Sequence, residues 1–332
     1  MRLGDVGEFG LIDQIRSAVS AQSDRVVLGI GDDAAAVRMS DGLVSLLTTD
    51  TLVEGVHFRR ATTSMTSLGW KTLAVNLSDI AAMGGLPRCA VVSLALSDTW
   101  STDAVRDLYT GLSRCSERFN CPIVGGDTVR SPEHGVITMT VLGQVEEGCL
   151  VMRSGAQEGD LLCVSGDLGN ARTGLEILEP DVDSHGFTTA VQHFLEPEPR
   201  LALGRWLAAT VRVTAMIDIS DGLASEVGHL CSESKLGAIL DAAAIPVADE
   251  ARCWSESRGK NPIDLALESG EEYALLFTVP EGRLAHWLSN KPPELSDITV
   301  IGSMRPETEG ILLHTESGEI PLEARGWNHF DA

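Results

Sequence analysis

The chain has 332 residues, 43% of them hydrophobic and 22% charged, a globular composition at a length that suits two cores better than one. Its 48 acidic against 25 basic residues give a formal charge of −23, which would repel a polyphosphate backbone and makes nucleic acid a poor candidate partner. Seven cysteines form no C-x-x-C pair, no signal-peptide core opens the chain, and no stretch approaches the ~18 apolar residues of a membrane span, so a reduced, cytoplasmic protein without a membrane partner is expected.

In chain order, “GEFGLIDQIRSAV” puts Phe9, Ile12, Ile15 and Val19 on one side of a first amphipathic helix. “RVVLGIGDDAAAV” and “LVSLLTTDTLVEGVHF” are β-branched and leucine-rich runs interrupted by glycine or aspartate, as strands are. “SLGWKTLAVNLSDIAAMGG” reads as a helix with Leu73, Leu77 and Ile80 on one face, ended by Gly84 and Gly85. A strand at “RCAVVSLALS”, a helix at “TDAVRDLYTGLSRCSERF” capped by its Thr or Asp, and strands at “PIVGGDT” and “GVITMTVLGQV” complete a first half. Around “EEGCLVMRSGAQEGDLLCVSGDLGNARTGLEIL” the texture restarts as turn, strand, glycine-rich loop and helix, which places a domain boundary near residue 148 and divides the chain into 1–148 and 149–332. The second half continues with a helix at “PRLALGRWLAA”, a strand at “TAMIDIS”, a helix at “GLASEVGHLCSES” and strands near “ALLFTVP” and “ITVIGSM”, with “EPDVDSHGFTTAV” as a surface loop. The irregular alternation of strand and helix favours an α+β fold over a doubly wound sheet.

A set of aspartates shares one physical problem. Asp32 and Asp33 in “GIGDDAA”, Asp50 in “LTTDTLV”, Asp79 in “NLSDIAAMGG”, Asp127 in “VGGDT”, and Asp218 and Asp221 in “IDISDG” each sit at the edge of an apolar element, where an unpaired carboxylate is expensive to desolvate. Taken singly, each could cap a turn or a helix. Asp79 fits that least, because it lies inside a helix, three residues after Asn76 on the same face. Carboxylates that converge repel one another and raise their own pKa values unless cations sit between them, and magnesium, usually shared with substrate phosphates, suits that place. Metal-bridged phosphates let an acidic protein bind an anionic nucleotide. No D-x-D-x-D-G calcium loop occurs, and Gly169 and Gly174 of “GNARTGLE” have Walker A spacing but are followed by Leu175 and Glu176 where Lys and Ser/Thr are required. The four lysines are Lys71, Lys235, Lys260 and Lys291, and none follows a glycine-rich loop after a strand.

“GEFGLI”, “GIGDDAA”, “TTDTLVEGVHF”, “KTLAVNLSDIAAMGG”, “GGDT”, “RSGAQEGD”, “IDISDGL”, “SGEEYALLF” and “GWNHF” follow one another from residue 7 to residue 330. This ordered set, spanning nearly the whole chain, resembles the thiamine-monophosphate kinase family of the aminoimidazole-ribonucleotide-synthetase-like superfamily. The resemblance implies ATP-dependent phosphorylation of thiamine monophosphate to thiamine diphosphate, the last step of thiamine diphosphate biosynthesis, by direct in-line transfer assisted by magnesium. It implies a two-domain α+β fold, with an N-terminal metal- and ATP-binding domain that forms a homodimer and a C-terminal domain that completes the nucleotide and substrate site. By the same resemblance Asp33, Thr48, Thr49, Asp50, Asp79, Asp127, Asp218 and Asp221 are the magnesium ligands, with Asp50, Asp79, Asp127 and Asp218 as the catalytic set. Tyr109, Gly126, Asp127, Arg153 and Ser220 are the implied ATP contacts, and His57, Glu271 and Trp327 the implied thiamine monophosphate contacts.

The residue types suit these roles: Trp327 can stack on a flat cationic ring, Glu271 can accept from an exocyclic amine, His57 can donate to a phosphate, and Arg153 can fork onto one. The chain departs from the family's Gly-Gly-Glu-Asp-Tyr-Glu pattern at Ser269, Glu272 and Ala274. Selenophosphate synthetase, a sister enzyme, uses a reactive Cys or selenocysteine and a Lys near its N-terminus, whereas the first such residues here are Lys71 and Cys89. Aminoimidazole ribonucleotide synthetase and a non-catalytic cation-binding protein stand as further alternatives.

Overall fold

The structure, a computed structural model, describes residues 7–18, 23–40, 42–179, 186–295, 297–323, 326, 327 and 329, leaving out the side chains of 285 and 286. Val19 of the first helix and Phe330 of the last motif therefore lie outside the described residues. The first half contains α1 (Gly7–Ala18), β1 (Val26–Leu28), β2 (Ala35–Ser40), β3 (Leu43–Val53), α2 (Met65–Ala82), β4 (Leu86–Leu96), α3 (Thr102–Phe119), β5 (Ile123–Arg130) and β6 (Val136–Glu146). Its strands form one sheet in the order β1-β2-β3-β6-β4-β5, antiparallel except for β4–β5.

Alternation along the strands explains which face is covered. Val44, Leu46 and Thr48 of β3 and Ile137, Met139 and Val141 of β6 are buried beneath α2, while Leu47, Thr49, Thr51 and Leu142 project from the opposite, exposed face. Helix α2 starts at Ser64, whose hydroxyl accepts from the Ser67 N–H, and ends before Gly84, whose φ of 69° is left-handed. Fourteen of its residues are buried, so it is enclosed on all sides rather than along one stripe. It meets α3 very closely: a Cβ on Gly69 would lie 1.9 Å from the Leu108 carbonyl oxygen, and one on Gly111 1.8 Å from that of Thr66. The cap of α3 is Ser101, which accepts from the Ala104 N–H at 3.1 Å, so it falls just before the Thr or Asp expected from sequence.

The second half contains β7 (Leu161–Ser165), α4 (Asn170–Ile177), α5 (Thr188–Leu195), α6 (Leu201–Trp206) running into a π-helical turn (Leu207–Val211), β8 (Ala215–Asp218), α7 (Leu223–Ser234), β9 (Leu236–Asp241), α8 (Asp249–Ser257), α9 (Pro262–Glu268), β10 (Leu275–Val279), α10 (Glu281–Leu288), β11 (Ile298–Pro306), β12 (Ile311–Thr315) and β13 (Gly318–Pro321). Its seven strands run β13-β12-β9-β11-β7-β10-β8, with only β9–β12 parallel. Buried on both faces, β10 sends Leu275, Phe277 and Val279 into the core shared with α2 and the first sheet, and Leu276 into a second core with α7, α8 and α9.

The architecture is the expected α+β, with one difference in an element. Part of the stretch expected as a surface loop is α5, because Ala190 and Phe194 bury one face of it and Phe187 packs edge-on against Trp254 at 5.3 Å; residues 180–185 lie outside the described residues. Sequence patterning does not single out β9, β12, β13, α8, α9 or α10, which are short elements held by tertiary contacts.

Candidate active site

Three elements and one turn bring the carboxylates together. Asp33 lies in the turn before β2, Asp50 on the α2-facing side of β3, Asp79 in the last turn of α2, and Asp218 at the end of β8. Oxygens of Asp33, Asp79 and Asp218 all lie within 4.8 Å of one another. The Thr48 hydroxyl donates to Asp79 and Ser78 Oγ donates to Asp218 at 2.5 Å, while the Asp50 carboxylate lies near enough for its charge to act on Asp79. Across the turn, Arg153 donates from Nε to Asp33 Oδ1 at 3.1 Å and from its backbone N–H to Asp32 at 3.0 Å.

Desolvation pushes these groups up. Asp50 rises to about 6, and Asp218 to about 8 with the Asp33 charge adding to its burial. Asp79 stands well above the ordinary carboxylate range, through burial and then the charges of Asp50, Asp218 and Asp33. Burial outweighs even the Arg153 guanidinium at Asp33. The buried Asp33 Oδ2 has no hydrogen-bond partner. A hard divalent cation fits this set: its short bonds of ~2.1 Å bring ligand oxygens to within roughly 3–4 Å of one another, and its charge would relieve the crowding.

Beside the cluster lies a cavity of about 1080 Å³ whose lining includes Asp50, Ser220 and Asp221 together with His57, Phe194, Glu271, Tyr273, Trp327 and His329. The Val53 N–H donates to His57 Nδ1 at 3.0 Å, which leaves Nε2 of the neutral ring as a donor. Burial first, then His329 and Lys71, lowers the His57 pKa to about 4, so the ring is neutral near pH 7. The His57 and His329 rings are 4.9 Å apart and Trp327 meets His329 edge-on at 5.8 Å, a three-ring wall of which sequence reading found only the two ends. Trp327 is 52% exposed and its backbone N–H donates to the Asp221 carbonyl at 3.1 Å, bringing the C-terminal motif to the loop after β8.

Other residues expected from sequence lie elsewhere on this chain. Asp127 pairs in register with Ser93, Ser93 with Thr138, and Thr138 with Thr51. It therefore shares the exposed face with Thr51, opposite to Asp50, three strand spacings or roughly 14 Å away. Gly126 is on the same edge strand, Tyr109 is exposed on α3, and Thr49 gives its hydroxyl to the Met139 carbonyl on that outer side. Within one chain, Asp127 is separate from the Asp33–Asp79–Asp218 group.

The departures at Ser269 and Glu272 compensate each other. The Glu272 carboxylate accepts the N–H groups of Gly169 and Ala171 at 2.7 and 3.1 Å and the Ser269 hydroxyl at 2.5 Å. The longer side chain thus caps the start of α4, so the N–H groups of Gly169 and Ala171 that open the helix serve a carboxylate rather than a phosphate. Sequence reading missed Glu226, fully buried, whose carboxylate accepts the Asp221 N–H at 2.9 Å and so fixes the loop after β8.

The raised carboxylates make stability depend on pH. Groups whose pKa rises from 3.8 to about 6 at Asp50 and about 8 at Asp218 hold protons in the folded chain that the unfolded chain has lost, so their contribution is lost as pH rises through those values. His57 and His229, lowered from 6.5 to about 4, act oppositely and only below 6.5. Between pH 6.5 and 8 the melting temperature of the metal-free protein is therefore expected to fall, and magnesium to flatten that slope. Calorimetry showing a rise over this interval without metal would contradict the burial of the cluster.

Residues 31–145 match the AIR synthase related protein, N-terminal domain, and residues 157–314 the AIR synthase related protein, C-terminal domain. The chain is 37% identical to thiamine-monophosphate kinase of Aquifex aeolicus (strain VF5) over 99% of its length and all of that protein, and 33% identical to the enzyme of Bacillus subtilis (strain 168) over 97% and 99%. A solved structure of AaThiL complexed with AMPPCP and TMP is similar with a TM-score of 0.86 at 37% identity, covering 99% of each chain. A shared two-part architecture and this degree of identity over full length show that the chain belongs to the thiamine-monophosphate kinase family of AIR synthase related proteins.

Proposed function

We propose that the chain transfers the γ-phosphoryl group of ATP directly to the phosphate of thiamine monophosphate, giving thiamine diphosphate. The observation that carries this reading is one cavity whose lining combines the carboxylates of Asp50 and Asp221, beside the Asp33–Asp79–Asp218 group, with the rings of His57, His329 and Trp327 and with Glu271. The neighbour complexed with AMPPCP and TMP supports a two-substrate site. Asp33, Asp79 and Asp218, with Thr48, Asp50 and Asp221 around them, would hold magnesium, which when bound supplies neutralisation of phosphate charge.

The acceptor phosphate is already an anionic nucleophile, so the chain needs no general base; its task is alignment. Neutral His57 would donate from Nε2 toward a phosphate, Ser220 lines the cavity, and Arg153, held on Asp33 of the carboxylate group, would meet the nucleotide phosphates there. The uncovered face of the first sheet, with Leu47, Val91, Val129 and Leu142 exposed, supports a homodimer through residues 1–148, and Tyr109, Gly126 and Asp127 on that half would then complete the nucleotide site. Seven free cysteines suit a reducing cytoplasm.

The deciding experiment adds thiamine monophosphate to protein, ATP and magnesium and measures ADP. ADP release dependent on that acceptor is expected; release with no such dependence overturns the reading. Trp327→Ala should raise KM for thiamine monophosphate about 10-fold and leave KM for ATP unchanged, since ring stacking is binding rather than chemistry. Steady-state kinetics showing equal effects on both substrates would instead assign Trp327 to the fold.

A further inference from the structure

Lys71 is one of four lysines in the chain and is 2% exposed, in the middle of α2. An ammonium is costly to bury unless an anion and a polarisable surface replace its water. Here Nζ lies 2.8 Å from Glu271 Oε1 and 3.9 Å from the centroid of the Phe194 ring. The contact with Glu271 is an ion pair rather than a well-directed hydrogen bond, because Nζ has no partner of hydrogen-bond geometry. Phe194 and Glu271 both line the cavity and Lys71 does not, so the cation sits behind the wall and ties α5 to the 270–273 loop.

Glu271 is the residue most in need of such a tie. Its φ of 59° and that of Tyr273, 49°, are left-handed, a costly conformation for residues with a Cβ that persists only when the surroundings impose it. The backbone half of that constraint is visible: Glu271 N–H donates to the Ser220 carbonyl at 2.6 Å and Tyr273 N–H to that of Ile219 at 2.8 Å. The side chain meets repulsion, since the Glu271 charge adds to burial in pushing up Asp221. Its side chain is 27% exposed, so without a cation behind it the carboxylate would be free to turn toward solvent.

We infer that Lys71 is a positioning residue for substrate recognition: it pins the Glu271 carboxylate, by one oxygen, so that the other faces the cavity as acceptor and counter-ion for a substrate bearing a cationic ring and an amino group. This rests on the thiamine monophosphate kinase reading, since thiamine carries both groups. Cation behind, carboxylate between, cation in front is an alternation of charge that a neutral residue at position 71 would break.

The test is Lys71→Met, which keeps length and removes charge, measured beside Glu271→Gln and the double variant. Lys71→Met should raise KM for thiamine monophosphate about 10-fold while KM for ATP and kcat change less than about threefold. Because Lys71 acts through Glu271, the double variant should have the KM of Glu271→Gln alone. If Lys71→Met fails to fold, the double variant, with neither charge, carries the same comparison. Full additivity of the two effects, an unchanged KM in Lys71→Met, or an equal rise for ATP overturns the inference. Absence of acceptor-dependent ADP release in the unmodified protein overturns the functional reading, and this inference with it.

Discussion

Asp79→Asn is expected to lower turnover by about 10²- to 10³-fold and yet to raise the melting temperature of the metal-free protein. The two signs have one cause. Asp79 is surrounded by Asp33, Asp50 and Asp218, and burial and those charges hold its pKa well above the carboxylate range, so a neutral amide of equal size relieves repulsion when no cation is present. The Thr48 hydroxyl, which donates to Asp79, keeps an acceptor in the amide oxygen, so packing is preserved. With a cation to hold, the same loss of charge removes a ligand where phosphate charge must be neutralised. The gain in melting temperature on adding magnesium should shrink accordingly. Calorimetry and steady-state kinetics on one preparation decide it: near-normal turnover at saturating substrates would remove Asp79 from the site, and a lower melting temperature without metal would make it a structural residue.

Arg153→Met should destabilise the fold strongly at pH 8 and little at pH 5. Arg153 is 22% exposed and Asp33 fully buried, so removing the guanidinium leaves a carboxylate without its cation beside two others. Breaking a buried pair in this way costs about 3–5 kcal/mol while the remaining charge is kept. Protonation offers Asp33 an escape, and its pKa is already raised by burial against the pull of Arg153, so at low pH the charge disappears and so does most of the penalty. Denaturant unfolding at the two pH values gives the difference. Equal losses at both would mean that Arg153 contributes packing through its methylene stem rather than charge. The Arg153 backbone N–H to Asp32 survives the substitution and keeps the turn before β2 in place.

Much of the fold was legible because it is written in local periodicity. Helices α2 and α3, strands β3 to β6 and β8, and the glycines that end α2 follow from spacing and caps within about ten residues of each other. That the aspartates share one problem was legible too, since each sits at the edge of an apolar run and Asp79 sits where a helix does not favour it. The short elements of the second half, such as α8, α9 and β12, were not, because their stability comes from burial against distant strands.

Which carboxylates meet is a different kind of fact. Asp50 and Asp127 both end or border apolar strand residues and look alike in sequence, but the strand order β3-β6-β4-β5 and the pleat put them on opposite faces. No local pattern encodes that order. Nor does any show that Lys71, 200 residues before Glu271 in “GWKTLAV”, ends 2.8 Å from its carboxylate, or that Glu272 caps a helix beginning at Asn170. The sequence by itself determined the longer elements with local periodicity, the acidic cluster as a chemical need and the family resemblance, because these rest on residue type and short-range spacing. Only the tertiary structure decided the membership of the cluster and the partners of its buried charges, because desolvation and Coulomb energy depend on distances set by long-range pairing.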